Sequence, residues 1–219
     1  MNTAVPVRGI RRFELLTASP EASVEFHAAL HDWVLLSRDG GVQSCWVGDR
    51  LAATIRAPEH GEPLGWRVVF GTGPQAEEPA ASHHPSAVVE PGRVAHGPWA
   101  PAPRSGEPCW AELAAASADE HWTSAVGWEP AEGAYTLEGR AVSGRRPVPE
   151  TSPEAGEWTC CLAVDDLTVA FDRVRDLGGT VLEDDPTNPL GRAVTVADPA
   201  GARYALVERP GCWGGALAT

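Results

Sequence analysis

Four strand-like apolar runs, each containing or following an aromatic residue, recur along the chain at Arg12–Ala18, Trp66–Thr72, Trp110–Ala116 and Trp158–Val164. After each comes a Ser, Asp, Gly or Pro and then a stretch compatible with a short helix. Shorter strand candidates follow: VLLSR, VQSCWV and RLAATIR in the first unit, YTLEG and RAVSGR in the third, and TVLED, RAVTVAD and ARYALVE in the fourth. Asp39-Gly40-Gly41 reads as a hairpin between the first two, and Asp198-Pro199-Ala200-Gly201 as a turn in which Pro fixes φ and Gly accepts positive φ. Strand, helix and three strands make a βαβββ unit, and the pattern predicts four of them.

The helices are amphipathic. Ala22, Phe26, Ala29, Leu30 and Trp33 form one face in the first unit, and Leu167, Ala170, Phe171, Val174 and Leu177 form another in the fourth, stopped by Gly178-Gly179. With helices on one side, the other sheet face is free to curve round a ligand. The openings FELLTAS…EFHAALHDW and WAELAAAS…HWTSAVGW echo each other about a hundred residues apart, which favours two domains in a chain of 219 residues.

Charge narrows the partners. Thirty acidic residues face seventeen arginines and no lysine, giving −13, and such a surface repels phosphate backbones, so no nucleic-acid partner is expected. No apolar run approaches the roughly 20 residues that span a bilayer, and the N-terminus lacks a signal-peptide core, so the expectation is a cytoplasmic protein without membrane contact, monomeric or homodimeric. Five cysteines without a CxxC pair read as thiols in a reducing compartment.

The paired openings, together with WTCCLAVDDLTVAFDRVRDLGGTVLEDD…GRAVTVADPAGARYALVE, resemble the vicinal oxygen chelate superfamily of glyoxalase, bleomycin-resistance and extradiol-dioxygenase-like proteins. They look most like its tandem two-domain actinobacterial members. The resemblance implies an α+β fold in which two βαβββ units form a glyoxalase-like domain with a U-shaped sheet around a cleft. Four units then give two such domains, about 1–105 and 106–219. In the first, the segment GRVAHGPWAPAPRSGEP carries prolines at 98, 101 and 103 that cannot donate to a ladder, so its last strand is expected to be degenerate.

Family enzymes hold a divalent ion on the first and last strands of each unit. The matching positions here are Arg12, Arg67, Trp110, Thr159 and, on a last strand, Ala205. Arg, Trp and Ala offer no donor atom to a metal, so no metal and no cofactor are expected. His27 and His31 sit i,i+4 on the first helix but lack a third ligand nearby, and read as flanking its apolar stripe. His60, His83, His84 and His96 fall in loop sequence where exposure is the default, and His121 opens the third helix.

Alternation puts Glu14 on the face of Arg12 and Glu112 on the face of Trp110. If the resemblance holds, both carboxylates enter clefts. Each is a candidate catalytic acid or base, or else half of an ion pair with Arg12 or Arg67. Trp110 suits stacking on a flat ligand, with Arg12 or Arg67 recognising an oxygen function, and Thr159, Cys161 and Ala205 complete the expected binding surface. Three readings remain open. One is a metal-independent acid–base enzyme of secondary metabolism acting on a small organic molecule, aromatic or apolar with an oxygen function. Another is a sequestration protein that holds such a molecule unchanged. The third makes one domain a structural remnant.

Overall fold

A computed structural model describes residues 6–72, 86–116, 122–123, 126–185, 188 and 190–215. His83, His84 and His121 lie outside them. Among the described residues, fourteen strands form two mixed sheets. The first holds β1 (Gly9–Leu16), β2 (Val34–Ser37), β3 (Gln43–Val47), β4 (Arg50–Arg56), β5 (Gly65–Gly71) and β6 (Ala87–Glu90) in the order β2-β3-β4-β1-β5-β6. The second holds β7 (Pro108–Ala115), β8 (Glu129–Ala131), β9 (Ala134–Leu137), β10 (Arg140–Pro147), β11 (Trp158–Val164), β12 (Thr180–Asp185), β13 (Ala193–Ala197) and β14 (Arg203–Glu208). Its order is β12-β13-β14-β11-β7-β10-β9-β8.

Both sheets share one plan. At the centre the first strands of two units run antiparallel, β1 with β5 and β7 with β11. Each is flanked by the parallel last strand of its own unit: β4 beside β1, β6 beside β5, β10 beside β7 and β14 beside β11. The parallel strand next to β5 is thus the short Ala87–Glu90, upstream of the proline-rich segment, which among the described residues contributes an isolated bridge between His96 and Ile10. His96 is not a solvent-exposed loop residue. It is buried with Nε2 2.9 Å from the Leu51 carbonyl, and burial pushes its pKa down to about 4.

Two helices are described, α1 (Pro20–His31) and α2 (Leu167–Asp176). Pro20 opens α1, where a missing N–H costs nothing, while Asp166 caps α2 by accepting from the Thr168 and Val169 amides. Of the stripe predicted for the first helix, Phe26, Leu30 and Trp33 are buried while Ala22 and Ala29 are exposed, and Val24 is buried in their stead; in α2, Leu167, Ala170 and Val174 are buried with Phe171 and Leu177 half-buried.

The helix-bearing faces of the two sheets meet. Phe70 of β5 packs edge-on against Trp122, Trp128 and Trp158 at centroid distances of 5.9, 5.1 and 5.2 Å. From α1, His27 lies against Trp66 of β5 and Tyr204 of β14, and near the Asp198 carboxylate at 3.4 Å. His27 and His31 therefore sit in an aromatic junction between the two halves rather than on an open surface, and burial lowers both pKa values. Because strand side chains alternate, this packing turns the neighbouring positions away from the junction. Arg12, Glu14 and Arg67 point out of one sheet, and Trp110, Glu112, Thr159, Cys161 and Ala205 out of the other.

Candidate functional site

On the first sheet the outward face carries a ladder of charges. Glu14, 3% exposed, lies directly across from Thr54 on β4 and Arg67 on β5. Thr54 Oγ1 donates to Glu14 Oε1 at 3.2 Å, Arg56 Nε to the same oxygen at 3.4 Å, and Arg67 Nε to Oε2 at 2.5 Å. Arg56 and Arg67 also share Glu62, at 2.7 and 2.9 Å. Arg12 donates from Nε to Thr54 at 3.0 Å and from its two other nitrogens to Glu90 on β6 at 2.8 and 3.0 Å. The Arg56 bonds hold the Glu62 carboxyl down at about 2. Burial works to raise Glu90, but the bonds from Arg12 together with the charges of Arg12, Arg11 and Arg67 leave its pKa lowered. A cavity of about 250 Å³ opens over this ladder, bordered by Arg38, Val42 and Leu51.

The second sheet repeats the geometry with fewer charges. Glu112 pairs in register with Gly144 on β10 and Thr159 on β11, the positions that Thr54 and Arg67 occupy around Glu14. Among the described residues a single guanidinium reaches it, Arg146, with Nε 3.1 Å from Oε1, and Arg146 also bonds Glu154. Arg146 stands two residues after Gly144 as Arg56 stands two after Thr54, so the pair is a duplicated one. Burial raises the Glu112 pKa and the Arg146 bond offsets only part of the rise. Its side chain remains 27% exposed, so solvent or a ligand can reach it.

Beside Glu112, Trp110 is fully buried and stands opposite Cys161, which in turn pairs with Ala205. A side chain on Gly144 would start 2.6 Å from the Trp110 indole nitrogen and 2.9 Å from Glu112 Cβ, so the indole and the Glu112 stem pack directly on Gly144 and leave no room for a larger residue. The Cys161 thiol is buried and pushed well above its ordinary pKa, which makes it an inert wall. Trp110 meets no open space here, because Trp213 covers it at a centroid distance of 5.7 Å. The expected site residues therefore form two groups on separate sheets: Arg12, Glu14 and Arg67 on one, Trp110, Glu112, Thr159, Cys161 and Ala205 on the other.

The glyoxalase-like domain family matches residues 109–207, the stretch from β7 to β14. Across both sheets the fold is similar to that of solved dioxygenases and of a solved glyoxalase. The 2,3-dioxygenase LapB from Pseudomonas sp. KL28 superposes with a TM-score of 0.61 at 15% identity, over 93% of each chain. The Mn(II)-bound glyoxalase from Novosphingobium aromaticivorans superposes with a TM-score of 0.55 at 12% identity, over 93% of this chain and 81% of that one. In sequence, the anthracycline biosynthesis protein DnrV of Streptomyces peucetius is 34% identical over 141 residues, which is 52% of this chain and 50% of DnrV. CFP32 of Mycobacterium tuberculosis is 32% identical over 119 residues, 47% of this chain and 46% of CFP32. The chain spans about half the length of the curated relatives it matches.

At the positions that the resemblance assigns to metal ligands, Trp110, Ala205, Arg12 and Arg67 offer no donor atom and Thr159 offers a single neutral hydroxyl. Among the described residues no group of three or more His, Cys, Asp or Glu side chains is placed to hold a metal ion. No helix among them is long and apolar enough to cross a membrane.

Sequence reasoning named Glu14 and Glu112 but missed Thr54, Arg56, Glu62 and Glu90 around the first, and Gly144 and Arg146 beside the second. RLAATIR and RAVSGRRP carry the missing signal: read as parallel neighbours of β1 and β7, they put Arg56 and Arg146 on the face of the glutamates. Trp213 lies beyond the last strand, where no periodicity points to it.

Proposed function

We propose that the chain is a metal-independent enzyme of secondary metabolism that moves a proton on a small organic molecule in the Glu112 cleft. The observation that carries this reading is the divergence of the two duplicated glutamates. Glu14 accepts from Arg56, Arg67 and Thr54 with both oxygens, which leaves it committed to the fold. Glu112 keeps one guanidinium partner, a raised pKa and a partly open face, the properties of a general acid or base.

Glu112 takes a proton from a carbon acid or hydroxyl of the substrate and returns it elsewhere on the same molecule, in an isomerisation, cyclisation or elimination, or passes it through water in a hydrolysis. The proton balances within each cycle and no oxidant is required. Arg146 steadies the oxyanion charge that develops next to the carboxylate. Arg12 and Arg67, on the other sheet, are built into the Glu14 ladder. The likeness to DnrV, named for anthracycline biosynthesis, supports a substrate that is aromatic or apolar with an oxygen function.

A second reading, a protein that binds such a molecule unchanged, is favoured by the aromatic wall of Trp110 and Trp213. One experiment separates the two: incubate chelator-treated protein with a metabolite extract of its source organism and follow the extract by liquid chromatography and mass spectrometry. The enzyme reading requires a compound to disappear as a related mass appears, with the conversion lost in Glu112→Gln and retained in the absence of added metal. A compound that is depleted and recovered unchanged on denaturing the protein establishes the binding reading instead.

A further inference from the structure

The segment after β14 does not leave the glyoxalase-like domain. It folds back so that the Gly214 amide donates to the Cys109 carbonyl on β7 at 3.2 Å and Trp213 lies on Trp110. Gly214 and Gly215 both have positive φ, at 73° and 51°. A side chain on Gly214 would start 2.5 Å from the Trp110 ring, and one on Gly215 would collide with the Leu190 carbonyl. This strap thus fits its place to within the thickness of a glycine.

Trp213 fills the slot as a ligand would. Its indole is 5% exposed, tilted by 56° to the Trp110 ring, and Nε1 donates to the Val142 carbonyl at 3.2 Å. Val142 lies at the irregularity in the β9–β10 pairing, between Ala141 and Ser143. On the other side of the slot the Trp110 Nε1–H, fully buried, has no hydrogen-bond partner among the described residues. Orphaned buried donors are costly, and this one packs against Gly144 beside the Glu112 stem. Behind Trp213 a cavity of about 270 Å³, walled by Pro98, Ala100, Ala141 and Cys212, gives the indole somewhere to go.

We infer that the slot held by Trp213 is the binding site of a planar aromatic ligand carrying both a carbonyl and a hydroxyl, and that the strap is an internal competitor for it. The carbonyl accepts from Trp110 Nε1, the hydroxyl donates to the Val142 carbonyl in place of the Trp213 indole, and the ring stacks on Trp110. The ligand's oxygen functions then lie beside Glu112. This deepens the proposed function and rests on its choice of the Glu112 cleft.

The test uses the full chain and 1,4-dihydroxyanthraquinone as a probe of this chemistry, titrated by the dye's fluorescence. Trp213→Ala is expected to bind at least about tenfold more tightly than the wild type, and adding Trp110→Ala to it removes the gain. In the wild type, saturating dye raises hydrogen exchange at the Gly214 amide, a readout that stands even if the variants fold poorly. Affinities within twofold of each other, or a Gly214 amide that stays protected at saturation, overturn the inference. An unchanged Trp213→Ala affinity alongside lost turnover in Glu112→Gln overturns the strap alone. A tenfold gain alongside retained turnover in Glu112→Gln upholds the strap and overturns the acid–base reading.

Discussion

Glu14 and Glu112 occupy the same place in two copies of one sheet plan, and their surroundings have parted. The first copy wraps its carboxylate in Arg12, Arg56 and Arg67, with Glu62 and Glu90 closing the ladder. The second replaces Arg67 by Thr159 and Thr54 by Gly144, and keeps Arg146 alone as the cation. A carboxylate among several guanidinium groups is a structural anion. One with a single partner in a partly buried cleft is free to change protonation state. Duplication supplied the geometry twice, and the charges nearby decide what each copy does with it.

The sharpest way to break this comparison is to neutralise each glutamate. Glu14→Gln leaves nearly buried guanidinium groups without their shared anion and should cost about 3–5 kcal/mol in chemical denaturation, since removing one partner of a buried pair strands the other. A loss below about 1 kcal/mol would show that the ladder is not what holds this face. Gly144→Ala should come next, at about 1–3 kcal/mol, because its methyl meets the Trp110 indole and Glu112. It should also remove any turnover that depends on Glu112.

Acid distinguishes the two faces by sign. Glu62 has a folded pKa of about 2 against an ordinary 4.5, so its stabilisation is present above 4.5 and lost as pH falls towards 2. His96, lowered to about 4, likewise contributes above 6.5 and is lost as pH falls through 4. Glu112 runs the other way. Its raised pKa makes the charged form a cost, so its contribution is fully present below 4.5 and disappears as pH rises through the folded value. The stability difference between Glu112→Gln and the wild type should therefore shift in favour of the wild type on acidification, in paired denaturation curves at several pH values. The smallest effect belongs to Arg173→Ala, which breaks an exposed pair with Asp32 and should change stability by less than about 1 kcal/mol.

Much of the fold was legible in the sequence because its signals are local. Period-two alternation put Arg12 with Glu14 and Trp110 with Glu112 on their faces, and helical spacing found the α2 stripe, whereas in α1 it placed the exposed Ala22 and Ala29 on the buried face. The environment of each glutamate was not legible, because it depends on which residue of β4 or β10 stands opposite, and register between parallel strands is a tertiary fact. Burial of His96 escaped for a similar reason: a Pro/Gly-rich stretch reads as exposed loop until the Leu51 carbonyl is found beside the ring. Trp213 carried no signal at all, since a short strap with two left-handed glycines has no period to recognise.

The most direct test is to follow the Glu112 side-chain carboxyl carbon by ¹³C NMR through a pH titration, assigned by its absence in Glu112→Gln. A midpoint above the ordinary 4.5 is the result expected of a carboxyl poised to exchange protons. A midpoint at or below 4.5 would make Glu112 a second structural anion and remove the ground for placing the chemistry in this cleft.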